Sequence, residues 1–348
     1  MTLQVIGGEA ITTLIARLME DARVVAPHRR EGRDQWAFQD VKDPADVCLN
    51  YVSTVIPPKK YVLPQVEALV RYRLGEHPRM EPAVESEPLV IFGAHPCDIY
   101  GLCSLDIALS DNNADPNYHE RRLNVRVVGV DCEPDEWCFC GSMGTASATE
   151  GYDLFLTPCG DGYIVEVATD PGAAMVEGLP LRDASMTEIG ALKQRLMDKT
   201  RSGRAIHCDV SDLPLYFTGW AESPVWAKWA EKCYSCGTCN LTCPTCFCFD
   251  VMDRMDLSLQ SGTRQREWDA CMTEGFAKVA SGENFREDPR SRLRHRFYRK
   301  YSYLFTRYGR PYCCGCGRCV RQCLTKIDPV GVINDLLAAS GKGATVRG

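Results

Sequence analysis

One cysteine spacing occurs twice near the end of the chain. The first copy is Cys233-x2-Cys236-x2-Cys239-x3-Cys243-Pro244, and the second, which begins 80 residues later, is Cys313-x2-Cys316-x2-Cys319-x3-Cys323. Four thiolates at intervals of three, three and four residues can surround a 4Fe-4S cubane, whereas zinc sites usually take cysteines in separated pairs. The sequence therefore predicts two 4Fe-4S clusters, with two zinc ribbons as the alternative.

The two motifs are expected to share their ligands. In two-cluster ferredoxin domains the first three cysteines of each run bind one cluster, and the fourth binds the other. This rule gives a first set, Cys233, Cys236, Cys239 and Cys323, and a second set, Cys313, Cys316, Cys319 and Cys243. Such crossing requires the residues between the motifs to fold back on themselves.

Other residues around the motifs depart from this pattern. Leu324 follows the last cysteine of the second motif, where Pro244 follows the last cysteine of the first. This difference leaves the ligand type unchanged.

A free cysteine is often a small buried hydrophobic side chain, although a role in tuning the potential or as a replacement ligand stays open. On this basis we exclude from the ligand sets Cys246, Cys248, Cys271 and Cys314.

A further group of cysteines lies in the first half of the chain, at Cys97, Cys132, Cys138 and Cys140. Cys97 follows the apolar run 89–94, and Cys132 follows the apolar run 125–130. If the two runs are parallel neighbouring strands, both cysteines lie at the carboxyl edge of the sheet, where open α/β sheets bind ligands. The four thiols then suit a third 4Fe-4S cluster or a zinc ion. The alternative is that several of them are simply buried.

The elements that must position these cysteines indicate two domains. Residues 1–224 are predicted to form an α/β domain with a mixed, partly parallel sheet, because apolar runs alternate with helical patterns. The segment 213–224 contains proline and aromatic residues, and we interpret it as a linker on the surface. The individual patterns are an amphipathic stretch at 63–74, a helix over 98–109 capped by Asp98, a hairpin around Gly160-Asp161-Gly162 and a helix over 184–199.

Residues 225–348 are predicted to form a mainly helical, dicluster ferredoxin-like domain. The segments 249–259 and 263–268 favour a β-hairpin inserted between the motifs. Helices are expected over 270–280 and 290–308. Residues 290–300 of the second helix include seven basic residues, which we interpret as a solvated face that could also offset nearby negative clusters or bind an acidic partner.

Composition narrows the class of protein. The chain has 348 residues and a formal net charge of −6, so its overall charge does not favour a nucleic-acid partner. No apolar run is long enough to span a bilayer, and no secretory signal is evident in residues 1–19. Twenty cysteines without an export signal indicate a reducing compartment, so we expect a cytoplasmic protein. No phosphate-binding or hydrolase motif is present, and we assign no catalytic residue to the chain.

Several strings of residues resemble the beta subunit of sulfhydrogenases, which are group 3 nickel-iron hydrogenases, and the related A-type subunit of anaerobic sulfite reductase. The resemblance covers about residues 60 to 335. The strings are Cys138-Phe139-Cys140-Gly141-Ser142, Tyr152-Asp153-Leu154-Phe155-Leu156, Cys243-Pro244-Thr245-Cys246-Phe247-Cys248-Phe249-Asp250 and Trp268-Asp269-Ala270-Cys271.

This resemblance implies an electron-transfer subunit of an oxidoreductase complex. Its partners would be a gamma subunit that binds FAD and NAD(P), and the small and large subunits of a nickel-iron hydrogenase. A sirohaem sulfite reductase subunit is the alternative terminal partner. A different interpretation makes the chain itself a flavin-dependent oxidoreductase with the α/β domain as flavin host. The family motif maps onto the eight cysteines of the two sets, and onto Cys97, Cys132, Cys138 and Cys140.

Overall fold

The computed structural model describes residues 3–201 and 203–341, and its strands form two sheets. The strands are β1 Gln4–Gly7, β2 Arg23–Arg29, β3 Trp36–Asp40, β4 Val66–Arg73, β5 Arg79–Pro82, β6 Leu89–Ala94, β7 Val125–Val130, β8 Leu154–Cys159, β9 Gly162–Val167, β10 Leu181–Asp183, β11 Phe249–Met255 and β12 Ser261–Trp268. The larger sheet has the order β10-β1-β9-β8-β7-β6-β2-β3, and the smaller sheet has the order β11-β12-β4-β5.

Helices surround the larger sheet and fill the last third of the chain. They are α1 Gly8–Asp21, α2 Pro96–Ser110, α3 Pro116–Leu123, α4 Cys140–Met143, α5 Asp170–Val176, α6 Met186–Arg201, α7 Leu213–Thr218, α8 Val225–Ala230, α9 Thr238–Leu241, α10 Pro289–Tyr298, α11 Leu304–Tyr308, α12 Arg318–Arg321 and α13 Pro329–Ala339. A π-helical turn, Arg299–Tyr303, joins α10 to α11 without a break. Short 3-10 turns occur at Pro44–Asp46, Pro58–Tyr61, Val210–Asp212 and Gly275–Ala277. None of the helices in the described part of the chain has the length and apolar character needed to cross a bilayer.

The predicted mixed, partly parallel sheet is confirmed. Strands β2, β6, β7 and β8 run parallel to one another at its centre, and the outer pairings are antiparallel. All six residues of β6 are buried, because α1 packs against one face of the sheet while α2 and α3 pack against the other. A strand covered on both faces has no polar side, which explains the continuous apolar run of β6.

The helix after β6 begins earlier than the sequence pattern predicted. It starts at Pro96, so the residue that caps it is His95, and the assignment of Asp98 as the cap is wrong. Asp98 lies in the first turn, where its carboxylate forms a fully buried ion pair with Arg318 at 2.9 Å. The hairpin around Gly160 and the helix near 184–199 are both present, as β8–β9 and α6.

The smaller sheet combines strands from distant parts of the chain. The amphipathic stretch at 63–74 forms β4, which pairs with β12 and β5. The predicted hairpin is present as β11–β12. Buried ion pairs join Arg266 on β12 to Glu67 on β4 and to Asp115 before α3. Partners this distant in sequence leave no local signal, so the sequence patterns did not reveal the four-stranded sheet.

A second core is formed mainly by residues between 206 and 337. The segment 213–224 was expected to be a surface linker, and this expectation is wrong because Leu213, Phe217 and Trp220 are buried in that core against α8, α10 and α13. Their spacing of four and three residues places all three on one side of α7 and the turn after it. The predicted domain boundary at residue 224 stays a prediction.

The residues between the hairpin and the second motif differ in part from the expectation. The helix expected over 270–280 is wrong, since that stretch contains turns and the 3-10 turn Gly275–Ala277. Asp269 stabilises the first of these turns by accepting hydrogen bonds from the backbone N–H of Ala270 and the hydroxyl of Thr273. The helix expected over 290–308 is present, as α10, the π-helical turn and α11.

Candidate iron-sulfur sites

Both cysteine motifs follow the same backbone path. Ser235 and Gly237 in the first motif have positive φ angles of 53° and 75°, and Gly315 and Gly317 in the second have 64° and 68°. A four-residue helix follows in each motif, α9 or α12, and carries the third cysteine. The two short helices contact each other, so the motifs lie side by side.

The first set of cysteines comes together around Cys239. Its thiol is partly buried, and burial raises its pKa above the ordinary value against the opposing charge of Arg296, as do the neighbouring thiols of Cys233, Cys236 and Cys323. Three of these residues come from the first motif and one from the end of the second. These are the thiols of the first crossed set, and their assignment as ligands of one cluster stays a prediction.

The second set comes together around Cys319. Burial raises the pKa of this thiol, and the thiols of Cys313, Cys316 and Cys243 raise it further. Burial also raises the pKa of Cys313 to about 11, with Cys243 and Cys316 again among its neighbours. Cys243 belongs to the first motif, so this group is crossed as well.

Polar groups are directed at the sulfur atoms of both sets. The backbone N–H groups of Ser235 and Ile327 donate to Cys233 Sγ at 3.4 Å and to Cys323 Sγ at 3.5 Å. Hydroxyl groups at equivalent positions of the two motifs lie 3.3 Å from Cys243 Sγ, at Thr245, and 3.5 Å from Cys323 Sγ, at Thr325. Donors to sulfur stabilise thiolate and tune a bound cluster, so the donor set fits a group held by thiolates.

Two buried cations lie beside the thiols, on the helix that was interpreted as a solvated basic face. That interpretation is wrong for Arg292, Arg296 and Lys300, which are all buried. The Arg296 guanidinium donates to the carbonyl oxygen of Cys239 at 3.3 Å, and Lys300 Nζ donates to Thr245 Oγ1 at 2.7 Å. The spacing of four residues was the signal in the sequence, because it places all three on one helical face.

The charge of Lys300 is a consequence of these neighbours. Burial lowers the pKa of a lysine, yet the thiols of Cys243 and Cys246 reverse this effect and raise the pKa of Lys300 above its ordinary value. Arg296 has Cys239, Cys319, Cys246 and Cys243 as neighbours and keeps its charge in the same way. A buried cation needs a compensating anion, and a group bound by thiolates supplies negative charge at this position.

Three of the four cysteines of the first half, Cys97, Cys138 and Cys140, lie against the second motif. Cys97 stands at the start of α2, where Arg318 Nη1 donates to its sulfur at 3.5 Å, and its thiol also contacts that of Cys316. Cys138 Sγ lies 3.7 Å from the carbonyl oxygen of Cys316. Cys132 and Cys140 are neighbours of each other. The structure therefore brings all four to the carboxyl edge of the parallel strands.

The loop that carries Cys138 and Cys140 fits the second motif only because that motif contains glycine. A Cβ atom on Gly315 would lie 2.6 Å from the backbone N of Cys140, and one on Gly317 would lie 2.7 Å from the backbone of Trp137. The backbone N–H of Phe139 also donates to the carbonyl oxygen of Gly315 at 2.8 Å. The two halves of the chain are therefore in direct backbone contact at this point.

Arg318 completes the connection between the halves. It is fully buried, and besides its ion pair with Asp98 it donates to the carbonyl oxygen of Thr54 at 2.9 Å.

His95, two residues before Cys97, is buried as well and stacks on Tyr51 with ring centroids 3.8 Å apart. Burial, together with the charge of Arg318, holds the pKa of His95 well below its ordinary value. A neutral imidazole is therefore expected.

Three of the four cysteines excluded from the ligand sets, Cys246, Cys248 and Cys271, also cluster. The Asn240 side-chain amide donates to Cys271 Sγ at 3.2 Å and to Cys246 Sγ at 3.5 Å. The thiol of Cys248 is hydrogen-bonded to that of Cys271, and Cys314 is buried beside Cys316. This proximity depends on the loop at 269–273, whose position sequence reasoning did not establish.

Among the residues that the structure describes, no three His, Cys, Asp or Glu side chains converge closely enough to hold a single metal ion. A cubane takes one thiolate at each of its four irons, so its ligands stand farther apart than those of one ion. The crossed sets, their sulfur-directed donors and the buried cations fit such a cluster.

Comparison with known proteins agrees with this geometry. A family model described as a 4Fe-4S dicluster domain matches residues 232–327, a range that contains all eight cysteines of the two sets. The chain is also 34% identical over 328 residues to sulfhydrogenase 2 subunit beta of Pyrococcus furiosus, a match that covers 92% of this chain and 94% of that relative. The chain therefore belongs to the sulfhydrogenase beta subunit family and carries a 4Fe-4S dicluster domain.

Proposed function

We propose that this protein is the electron-transfer subunit of a hydrogenase complex. The two crossed cysteine sets would each hold one 4Fe-4S cluster, which supplies reversible one-electron transfer when bound. The observation that carries the proposal is that Cys239 and Cys319 each have the three thiols of the crossed assignment as neighbours. The protein's task is then to fix the distance between two redox centres and to set their potentials.

Individual residues of the chain would divide this task. The second set is the less exposed of the two, since its four cysteines are all partly buried whereas Cys236 of the first set is exposed. Arg296 and Lys300 would offset the negative charge that accumulates when a cluster is reduced. Thr245 and Thr325 would hold the fourth ligand of each set in position.

We further propose that Cys97, Cys132, Cys138 and Cys140 hold a third 4Fe-4S cluster. Their position at the carboxyl edge of β6 and β7, against Cys316, supports this assignment because it would extend the row of redox centres into the α/β part of the chain. Zinc at this position would instead give a colourless site without a redox signal.

The partners are proposed from the relative's name and from the resemblance of the sequence. Sulfhydrogenase 2 subunit beta is by name one subunit of a larger enzyme. We propose that this chain relays electrons between a gamma-type subunit with FAD and NAD(P) and the small and large subunits of a nickel-iron hydrogenase. Stoichiometric nickel in the complex purified without oxygen would support the hydrogenase, and its absence would favour the sulfite reductase alternative.

Cysteine substitutions test the crossed ligand sets. Cys236→Ser and Cys323→Ser should abolish the same EPR signal of the reduced protein and leave about half of the dicluster iron, because both belong to the first set. Cys316→Ser should abolish the other signal. Cys159→Ser on β8 is the control and should keep both. If Cys323→Ser removes the same signal as Cys316→Ser, the crossed assignment is wrong. If the wild-type protein contains no iron, the proposed function is wrong.

A further inference from the structure

Two thiols outside the ligand sets meet at the open end of the β11–β12 hairpin. Cys248 lies directly before β11, and Cys271 lies three residues after the end of β12. The Cys248 thiol is hydrogen-bonded to the thiol of Cys271 and also accepts a hydrogen bond from the backbone N–H of Cys271. The backbone N–H of Asp269 donates to the carbonyl oxygen of Cys248 at 3.0 Å. Backbone contacts therefore hold the two sulfur atoms together, as a disulfide requires, whereas the ligands of a cluster stand apart around it.

The surroundings of the two thiols suit reversible oxidation. Cys248 is partly buried and Cys271 is only 3% exposed, so a reactive thiol stands beside a buried one that can resolve it. The side-chain amide of Asn240 donates to Cys271 Sγ at 3.2 Å. The hydrogen bond from Cys271 lowers the pKa of Cys248, and the nearby charges of Arg299 and Lys300 lower it further. Thiolate is the form of cysteine that forms and breaks disulfides.

The pair lies beside the second cysteine set. The thiol of Cys246 is hydrogen-bonded to that of Cys243, which belongs to this set. The Asn240 amide contacts both Cys246 Sγ, at 3.5 Å, and Cys271 Sγ. A single layer of side chains thus separates the pair from Cys243, and an electron can cross such a layer by tunnelling.

We propose that Cys248 and Cys271 form a reversible disulfide that stores two electrons for the relay. On reduction the Sγ–Sγ bond breaks, the pair takes up one electron from each of the two reduced clusters, and two protons from solvent complete the two thiols. On oxidation the bond forms again, the two electrons return to the clusters and the two protons leave. The inference rests on the proposed function, because the clusters supply and accept these electrons.

Such a store would match the two kinds of electron transfer in the proposed complex. A 4Fe-4S cluster passes electrons singly, whereas a nicotinamide exchanges a hydride and therefore two electrons together. A disulfide is a two-electron couple. The pair would thus hold a second electron close to the clusters until both are needed.

The first test detects the bond. The complex is purified without oxygen from its native cells, and one sample is treated with oxidised glutathione and another with reduced methyl viologen. Free thiols are then blocked with iodoacetamide, and the digested peptides are identified by mass spectrometry. The oxidised sample should contain a peptide that joins Cys248 to Cys271, and the reduced sample should contain both as alkylated thiols. Cys208 is also partly buried, but Asp209 and Asp212 are its neighbours, so it should not be joined to another cysteine in either sample.

The second test counts electrons. The oxidised protein is titrated with reduced methyl viologen, a one-electron donor, and the electrons consumed are measured from the loss of its colour. The wild-type protein should consume two electrons per chain more than Cys248→Ser or Cys271→Ser, because a disulfide takes up two. Cys208→Ser is the matched control and should consume as many as the wild-type protein. All three variants should keep the wild-type iron content and EPR signals.

The results separate this inference from the proposed function. The inference is overturned if no joined peptide forms, if the peptide joins other cysteines, or if Cys248→Ser and Cys271→Ser consume as many electrons as the wild-type protein. Loss of iron in either variant also overturns it, because the residue would then be a cluster ligand. A wild-type protein without iron overturns the proposed function, and its joined peptide would then show a disulfide that does not serve a relay.

Discussion

The buried guanidinium of Arg296 gives the sharpest test of how the protein would set its redox potentials. Arg296 donates to the carbonyl of Cys239 in the first set and also has Cys319 and Cys243 of the second set as neighbours. Its Nε has no hydrogen-bond partner among the described residues. We predict that Arg296→Met, which removes the charge and keeps much of the volume, lowers the midpoint potentials of both clusters.

The size of the shift follows from Coulomb's law. For a separation on the order of 8 Å and an effective dielectric constant of about 20, the attraction between the guanidinium and one added electron is about 2 kcal/mol. For a one-electron couple this energy corresponds to about 90 mV. Removing the cation destabilises the reduced state, so the potentials should become more negative by up to about this amount. Arg296→Lys keeps the charge and should shift them much less.

The assay is an EPR-monitored redox titration of the purified protein under anaerobic conditions. Arg294→Met is the matched control, because Arg294 lies on the same helix but pairs with Glu222 at the surface. Its potentials should stay close to those of the wild-type protein. If Arg296→Met and Arg294→Met give equal potentials while both keep full iron content, Arg296 does not tune the clusters.

The other predictions concern stability. Gly317→Ala should lower the free energy of unfolding, measured by thermal unfolding, by about 2 kcal/mol more than Gly144→Ala does. Both glycines have a φ of 68°, but only at Gly317 would the new Cβ atom lie against the backbone of Trp137. Equal losses of stability in the two variants would contradict this close contact. Burial, with nearby arginines, lowers the pKa of His295 to about 4. Between pH 6.5 and 4 the unfolded chain binds a proton that the folded protein excludes, so stability should fall as pH decreases from 7 to 5. His295→Gln should weaken this dependence and exposed His77→Gln should not; an unchanged pH profile in His295→Gln would refute the argument.

The parts of the fold that sequence predicted are those whose signals are local. The strand 89–94 is a continuous apolar run and the strand 125–130 is apolar except at Arg126, and a run with no polar side is typical of a strand buried on both faces. The spacing of the cysteines is a local signal of the same kind, because the ligand geometry of a cubane restricts the local backbone, and the crossed assignment of the ligands stays a prediction. Turn residues around Gly160 likewise predicted the hairpin β8–β9.

The parts that sequence did not predict depend on distant partners. A basic residue in a helix is usually solvated, so the sequence predicts a solvated position for Arg296. Only the folded chain places thiols beside its guanidinium. The stretch 270–280 has a helical pattern, but Asp269 holds it in a turn that packs on Gly237. The segment 213–224 was expected to be exposed, although Leu213 and Phe217 are spaced for burial.

The pairing of β4 with β12 affects the order in which the chain can fold during its synthesis. Glu67 and Arg266 form a buried ion pair although 199 positions separate them in the chain. During synthesis β4 leaves the ribosome long before β12. The edge of β4 that pairs with β12 therefore stays unpaired until β12 has been made. Contacts between such remote segments form slowly. A nascent chain stalled before residue 261 would therefore expose an edge of β4 that is prone to aggregation.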